Sequence, residues 1–312
     1  MNSVNPVQPS DRPGQPPIVV GLGELLWDRF DDSRRPGGAP ANVAFQAGQL
    51  GCQGVVCSRV GQDALGDELL AFLASQGLDT QWVQRDPDHP TGTVTVDTSR
   101  ADHPEYTIHE NVAWDFLESS DEWEHLMARA AAVCFGTLAQ RSNGSREAIH
   151  RALRLADKTC LIVYDVNLRQ QWFDRVTVER SLAASQAVKL NDHEVLVLAE
   201  LLETESAEPV RFARSLQQRF AVNAVCITRA ERGCLVISAD EVIDSPGVAI
   251  EVADAVGAGD AFTAAWIFGQ LRGWPLARQA VFANRVGALV ASRSGAMPVL
   301  KEEFAQLMAE EQ

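Results

Sequence analysis

Asp254-Ala255-Val256-Gly257-Ala258-Gly259-Asp260-Ala261-Phe262 is the stretch that organises the chain. A strand-like run, Val248 to Val252, leads into it, and a helical pattern, Gly259 to Leu271, leads out. Strand, glycine-bounded turn and helix in that order form the repeating unit of an α/β sheet. The same alternation extends outward. Pro17 to Leu22, Gly54 to Arg59, Ala131 to Phe135, Thr159 to Asp165, Ala187 to Leu190 and Ala224 to Thr228 read as strands. Pro40 to Leu50, Ala64 to Gln76, Arg146 to Ala156, Val210 to Phe220 and Leu276 to Ser292 read as helices. The pattern implies a mostly parallel sheet covered on both faces. Residues 91–110 depart from it: two alternating strands flank a polar turn, which predicts a hairpin of the kind that caps a site.

Composition narrows the class. The chain has 312 residues and 46% hydrophobic content, enough for a large core. No apolar run reaches the ~18 residues of a membrane span. Residues 1–17 are rich in Pro, Ser, Gln and Asn, lack the apolar core of a signal peptide and read as a disordered tail before a domain over 18–312. Net charge is −15, with 42 acidic against 27 basic residues, which disfavours nucleic acid and anionic membranes as partners. The six cysteines form no Cys-x-x-Cys pair and sit in apolar runs, as buried thiols of a cytoplasmic protein do. The six histidines show no zinc-ligand spacing.

Chemistry concentrates in the quoted stretch. Glycines let backbone approach a ligand closely. A helix N-terminus offers free N–H groups and a positive dipole end. Gly257, Ala258 and Gly259 can therefore cradle the charge on a phosphoryl in transfer, and Asp260 beside them can take a proton from an attacking hydroxyl. The competing reading of Asp260 is an ordinary cap residue. No Gly-x-x-x-x-Gly-Lys-Ser/Thr loop occurs, nor the His-Arg-Asp and Asp-Phe-Gly pair of protein kinases, and Gly21-Leu-Gly23 lacks the third glycine of a dinucleotide fingerprint.

Asp254 to Phe262 resembles the C-terminal signature of the PfkB (ribokinase-like) carbohydrate kinases. Gly37-Gly38-Ala-Pro-Ala-Asn42, Leu50-Gly51 and Arg59-Val-Gly61-Gln-Asp63-Ala-Leu-Gly66 resemble the N-terminal signature. Asn191-Asp-His-Glu194 resembles the family's Asn-x-x-Glu element, Asp165-Val-Asn167-Leu-Arg169 its Asp-x-Asn-x-Arg strand end, and Thr228 to Gly233 its nucleotide loop. Gly23-Glu24-Leu-Leu-Trp-Asp28, Thr91-Gly92, Ala113-Trp114-Asp115 and Phe135 to Arg141 resemble the fructokinase-type branch.

The resemblance implies a ribokinase-like three-layer α/β/α fold with a small β lid, and ATP-dependent phosphorylation of a sugar's primary hydroxyl, fructose first. It assigns the base to Asp260, and sugar contacts to Asp28, Gly38, Asn42, Trp114 and Arg169. Nucleotide contacts fall to Asn191, Thr228, Gly233, Gly259 and Asn284, water-mediated magnesium to Glu194, and a monovalent cation such as potassium to Asp254 and Val256. Core packing stays open for Trp114, strand-end solvation for Asp28 and a structural ion pair for Arg169. Two residues depart from the signatures, Ala230 where the nucleotide loop has glycine and Ala255 where threonine follows the aspartate. Only eight residues separate Asp28 from Gly37, an abbreviated second pair of lid strands that weakens the case for a lid-mediated homodimer. A kinase for a sugar acid such as 2-keto-3-deoxygluconate, and an inactive sugar or nucleotide sensor, are the alternatives.

Overall fold

A computed structural model describes residues 15–97 and 105–310. The expected tail, for residues 1–14, and the tip of the expected hairpin lie outside them. The strands are β1 (Ile18–Leu22), β2 (Leu26–Arg29), β3 (Arg34–Gly37), β4 (Gln53–Gly61), β5 (Val83–Asp86), β6 (Gly92–Asp97) and β7 (Glu105–Ile108). They continue with β8 (Ala132–Phe135), β9 (Leu161–Asp165), β10 (Ala187–Asn191), β11 (Ala224–Thr228), β12 (Cys234–Ser238) and β13 (Val242–Ser245). The helices are α1 (Ala39–Gln49), α2 (Ala64–Ser75), α3 (Asp121–Met127), α4 (Asn143–Leu155) and α5 (Arg175–Ala184). After them come α6 (Asp192–Leu201), α7 (Pro209–Phe220), α8 (Ala258–Leu271), α9 (Leu276–Ala291) and α10 (Lys301–Glu310).

Nine strands form one sheet in the order β13-β12-β11-β10-β9-β8-β1-β4-β5. Every neighbouring pair from β11 to β5 is parallel; β12 and β13 join antiparallel at one edge. Alternation along the strands sorts the two faces. Val20, Leu22, Val133, Phe135, Ile162 and Val188 pack with α3 to α7. Val19, Ala132, Cys134, Leu161, Val163 and Ala187 pack with α1, α8, α9 and Phe304 of α10. Three layers result, as the alternating pattern implied. All six cysteines are buried and unpaired, and among the described residues no helix is long and apolar enough to cross a membrane.

A second sheet of four strands, β3-β2-β6-β7, carries the expected hairpin. The short segment between Asp28 and Gly37 does form its strand pair, with only four residues in each of β2 and β3. Asp63 fixes this sheet to the main body. Its carboxylate accepts from Gly66 N–H, which caps α2, and from the amide and hydroxyl of Thr91, which immediately precedes β6. These bonds stabilise the ionised form and hold its pKa below the usual carboxylate value against the cost of desolvation. Trp27 adds a bond from its indole to Leu65 C=O at 3.0 Å.

One strand expectation fails. Val248 to Val252 is irregular, Val248, Ile250 and Val252 are exposed, and no strand among the described residues pairs with them. The last ladder strand before the turn is instead β13, which ends at Ser245. Alternating valines satisfied the sequence pattern without a sheet edge to receive them.

Candidate functional site

The turn before α8 is built so that only glycine fits its corner. Gly257 adopts φ 79°, and a Cβ there would stand 2.5 Å from Ala296 Cα. Ala261 N–H makes the first helical bond, to Gly257 C=O, at 2.9 Å. The amides of Gly259 and Asp260 precede it and have no acceptor within the helix. Asp260 lies in the first turn of α8, and its Oδ2 accepts from Asn42 Nδ2 at 2.7 Å. Burial, then repulsion from Asp165, push the Asp260 carboxyl up to about 6, against Asn42, Lys189 and Arg169, which favour its charge. A side chain with that value is ionised at neutral pH and still able to hold a proton briefly.

Beneath the turn lies a buried charge pair to which the sequence reading gave no role. Lys189 of β10 stands in register with Asp165 of β9, with Nζ 3.1 and 3.3 Å from its two oxygens. Thr263 Oγ1 of α8 donates to Asp165 Oδ2 at 2.7 Å. A Cβ on Gly259 would stand 3.2 Å from the ammonium, so the cation sits directly under the turn. Desolvation alone would lower the Lys189 pKa, but Asp165, Glu194 and Asp260 outweigh it and raise the value. A lysine at an inward position of the apolar run Ala187 to Leu190 was the available signal, since charge on a buried face calls for a partner.

On the other side of Asp260, Gly38 caps α1 at φ 114°, and a Cβ there would meet Glu24 C=O at 2.4 Å. Glu24 is buried, its Oε2 has no partner among the described residues, and desolvation pushes its carboxyl up to about 7, assisted by Asp260 and opposed by Arg169. Asp28 of β2 turns its carboxylate over Gly37, where a Cβ would lie 2.6 Å from Oδ2. Desolvation raises Asp28 to about 6, while Arg169 and Arg35 favour its charge. Arg169 is exposed, and among the described residues no carboxylate lies within 4.0 Å of it. Its charge acts on Glu24, Asp28 and Asp260 together. It leaves a loop in which Asn167 and Gln170 hold φ of 41° and 49°, a strained geometry for non-glycine residues.

Trp114 resolves toward packing. It is fully buried, with the Arg141 guanidinium 3.9 Å from its ring centroid and Gly92 pressed against its indole nitrogen. Arg141 in turn pairs with Asp115.

The residues expected around a nucleotide cluster at the C-terminal ends of β10 and β11. Asn191 and Thr228 are register partners. Asn191 caps α6, accepting from Glu194 N–H, while Glu194 accepts from Asn191 N–H at 2.7 Å and from Leu168 N–H at 2.8 Å. Burial raises the Glu194 pKa, with Lys189 opposing. Gly233, at φ 81°, and Asn284 both converge on Ser245: a Cβ on Gly233 would strike Ser245 C=O, and Asn284 Nδ2 donates to Ser245 Oγ at 3.0 Å and Pro246 C=O at 3.1 Å. Ala230 holds φ 50° although it is not glycine, so the departure there is accommodated with strain.

Residues 22–303 match the pfkB family of carbohydrate kinases. The chain belongs to this family. An uncharacterized sugar kinase of Pyrococcus horikoshii is 30% identical over 89% of this chain and 91% of its own length. Its structure in complex with ATP superposes with a TM-score of 0.78, covering 93% of this chain and 99% of that one. Fructokinase of Escherichia coli is 28% identical over 89% of this chain and 94% of its length, in keeping with the fructokinase-type branch. A 2-dehydro-3-deoxygluconokinase of Thermotoga maritima, 20% identical with a TM-score of 0.80 over 94% of this chain and 99% of that one, shares the fold.

Two ions bear on a pfkB kinase site. Among the described residues no group of three His, Cys, Asp or Glu side chains could cage a metal. Magnesium needs no such cage, since it keeps several waters and binds largely through substrate phosphates. Glu194 fits an outer-sphere role, because backbone amides already occupy both its oxygens. The expected monovalent-cation group is different. Asp254 Oδ1 accepts from Val256 N–H at 3.0 Å, and Oδ2 accepts from Gly295 N–H at 3.0 Å and from Arg35 Nη1 at 2.8 Å. A cation here meets a carboxylate whose charge a guanidinium already balances.

Proposed function

We propose that this kinase transfers the γ-phosphoryl of ATP to the primary hydroxyl of a free hexose, with fructose giving fructose 6-phosphate. The observation that carries the reading is Asp260: a half-buried carboxylate, held by Asn42, at the N-terminus of α8 and beside amides without helical acceptors. In the step, the sugar hydroxyl oxygen bonds to the γ-phosphorus, the bond from that phosphorus to the β–γ bridging oxygen breaks, and ADP leaves. Asp260 takes the hydroxyl proton. The Gly257–Asp260 amides and the nearby Lys189 ammonium stabilise the equatorial oxygens. Glu194 with Asn191 would hold the waters of a magnesium ion, which would offset phosphate charge. Asn42, Gly38 and Asp28 bind sugar hydroxyls; Asn191, Thr228, Gly233 and Asn284 line the nucleotide side. The six free buried thiols fit a reducing compartment, and we place the reaction in the cytoplasm.

One observation favours the sugar-acid reading: Arg169 is a cation on the sugar side that has no carboxylate partner among the described residues. Against it, Glu24, Asp28 and Asp260 surround the same space with carboxylates that repel an acid. ADP release at saturating ATP and magnesium across fructose, glucose, ribose and 2-keto-3-deoxygluconate decides between them. The proposal expects the highest kcat/KM with fructose. A preference for the sugar acid replaces it with the second reading, and no release with any sugar supports a sensor.

A further inference from the structure

The carboxylate that opens the phosphate turn is held from outside its own loop. Asp254 receives Arg35 across 219 sequence positions, from a strand of the small sheet. Arg35 is the register partner of Asp28 on β2, and its charge also acts on that carboxylate. Its guanidinium packs 5.1 Å from the Phe30 ring centroid, which restrains the side chain. Asp254 meanwhile shapes the turn through Val256 N–H and the following loop through Gly295 N–H. Gly295 adjoins Ala296, the residue against which Gly257 is packed. One guanidinium thus connects the sheet bearing Asp28 to the loops that set the Gly257 corner.

A second cation on Asp254 would stand beside this guanidinium and be repelled by it, so the ion and Arg35 are alternatives. We propose that Arg35 is a built-in substitute for a monovalent ion at Asp254, and that it positions the phosphate turn when the small sheet lies over the cleft. An ion would fill the place whenever salt is present. Arg35 fills it only together with its strand, so ordering of the turn becomes linked to the side that holds the sugar. Arg35 is a positioning residue: it acts through Asp254 and touches no reacting atom. The proposal rests on the phosphoryl-transfer reading above.

The test uses the full chain as wild type, Arg35→Gln and Arg35→Lys, in potassium chloride and in choline chloride at equal ionic strength. Melting without substrates reads the ion site directly. The wild type should melt at the same temperature in both salts, whereas Arg35→Gln should melt about 1–3 °C lower in choline and recover in potassium, as loss of one exposed ion pair implies. In sugar-dependent ADP release, Arg35→Gln should lose on the order of tenfold in kcat in choline and regain most of it in potassium, with KM for ATP unchanged. Arg35→Lys, which keeps the charge, should retain most of the rate in choline. The proposal is overturned if Arg35→Gln keeps the wild-type kcat in choline, or if potassium stimulates the wild type as strongly as the variant. It is also overturned if Arg35→Lys falls with Arg35→Gln and potassium rescues neither. If no sugar drives ADP release in the wild type, the transfer reading fails, while the melting comparison still reads Arg35 by itself.

Discussion

The two walls of the cleft are made differently. The phosphate wall is part of the core: Lys189, Asp165 and Thr263 are buried and joined by hydrogen bonds, Asp260 above them is half-buried and held by Asn42, and Gly257 is pinned against Ala296. The sugar wall is a small four-stranded sheet attached through Asp63 and Trp27 and trimmed with exposed pairs, Arg34 with Glu68 and Arg35 with Asp254. Charges in the first wall are desolvated and fixed before any substrate arrives, which is where electrostatic stabilisation of a transition state is strongest. The ion pairs that trim the second stay in water, where each contributes little stability and can part at small cost. The difference suits a reaction whose phosphoryl chemistry needs a rigid hole and whose acceptor must enter and leave.

The largest expected effect falls on the buried wall. Lys189→Met removes one partner of a buried pair and leaves Asp165 uncompensated, so it should cost about 3–5 kcal/mol in denaturant unfolding. Adding Asp165→Leu should recover part of that loss, since the lone carboxylate is then gone. A Lys189→Met chain as stable as wild type would remove the distinction between the walls.

A smaller effect tests the desolvated carboxylates. Glu24 is raised to about 7 in the folded chain, so between its ordinary value of 4.5 and about 7 the folded state binds more protons than the unfolded. Its contribution is most favourable at low pH and is lost as pH rises through about 7. Glu24→Gln should therefore stabilise the chain at pH 8, by up to about 3 kcal/mol, with the gain shrinking toward pH 5. Unfolding curves of both proteins across that range check the sign, and a constant difference would contradict the buried ionisation.

The smallest effect belongs to the small sheet. Arg34→Ala breaks an exposed pair and should change stability by about 0–1 kcal/mol, with ADP release unaltered. A large loss would show that the sheet is bound to the body far more tightly than its exposed contacts allow.

The phosphate turn was legible because its chemistry is local: two glycines, an aspartate and a helix start occupy consecutive positions. Gly37-Gly38 and Asp63 were legible for the same reason, and the structure adds why glycine is needed, with Asp28 and Glu24 C=O close against those backbones. Lys189 and Asp165 were visible as residues but not as a pair, because their contact is made across two strands. Arg35 lay still further out of reach: it meets Asp254 only once the small sheet is placed. Val248 to Val252 shows the opposite error, a convincing alternation with no strand pairing with it among the described residues. Trp114 was undecided in sequence because an indole serves a sugar or a core equally well, and the covering Arg141 is a partner that only the fold brings to it.

The measurement that tests the account most directly is single-turnover phosphoryl transfer from ATP to the accepted sugar by wild type and Asp260→Asn, with sugar and ATP affinity followed by calorimetry. The account predicts that the wild-type rate declines as pH falls through about 6, where Asp260 takes up its proton. It predicts that the variant is slower by ~10²–10⁴ at neutral pH while binding both substrates. An Asp260→Asn protein that transfers phosphoryl at the wild-type rate would contradict it.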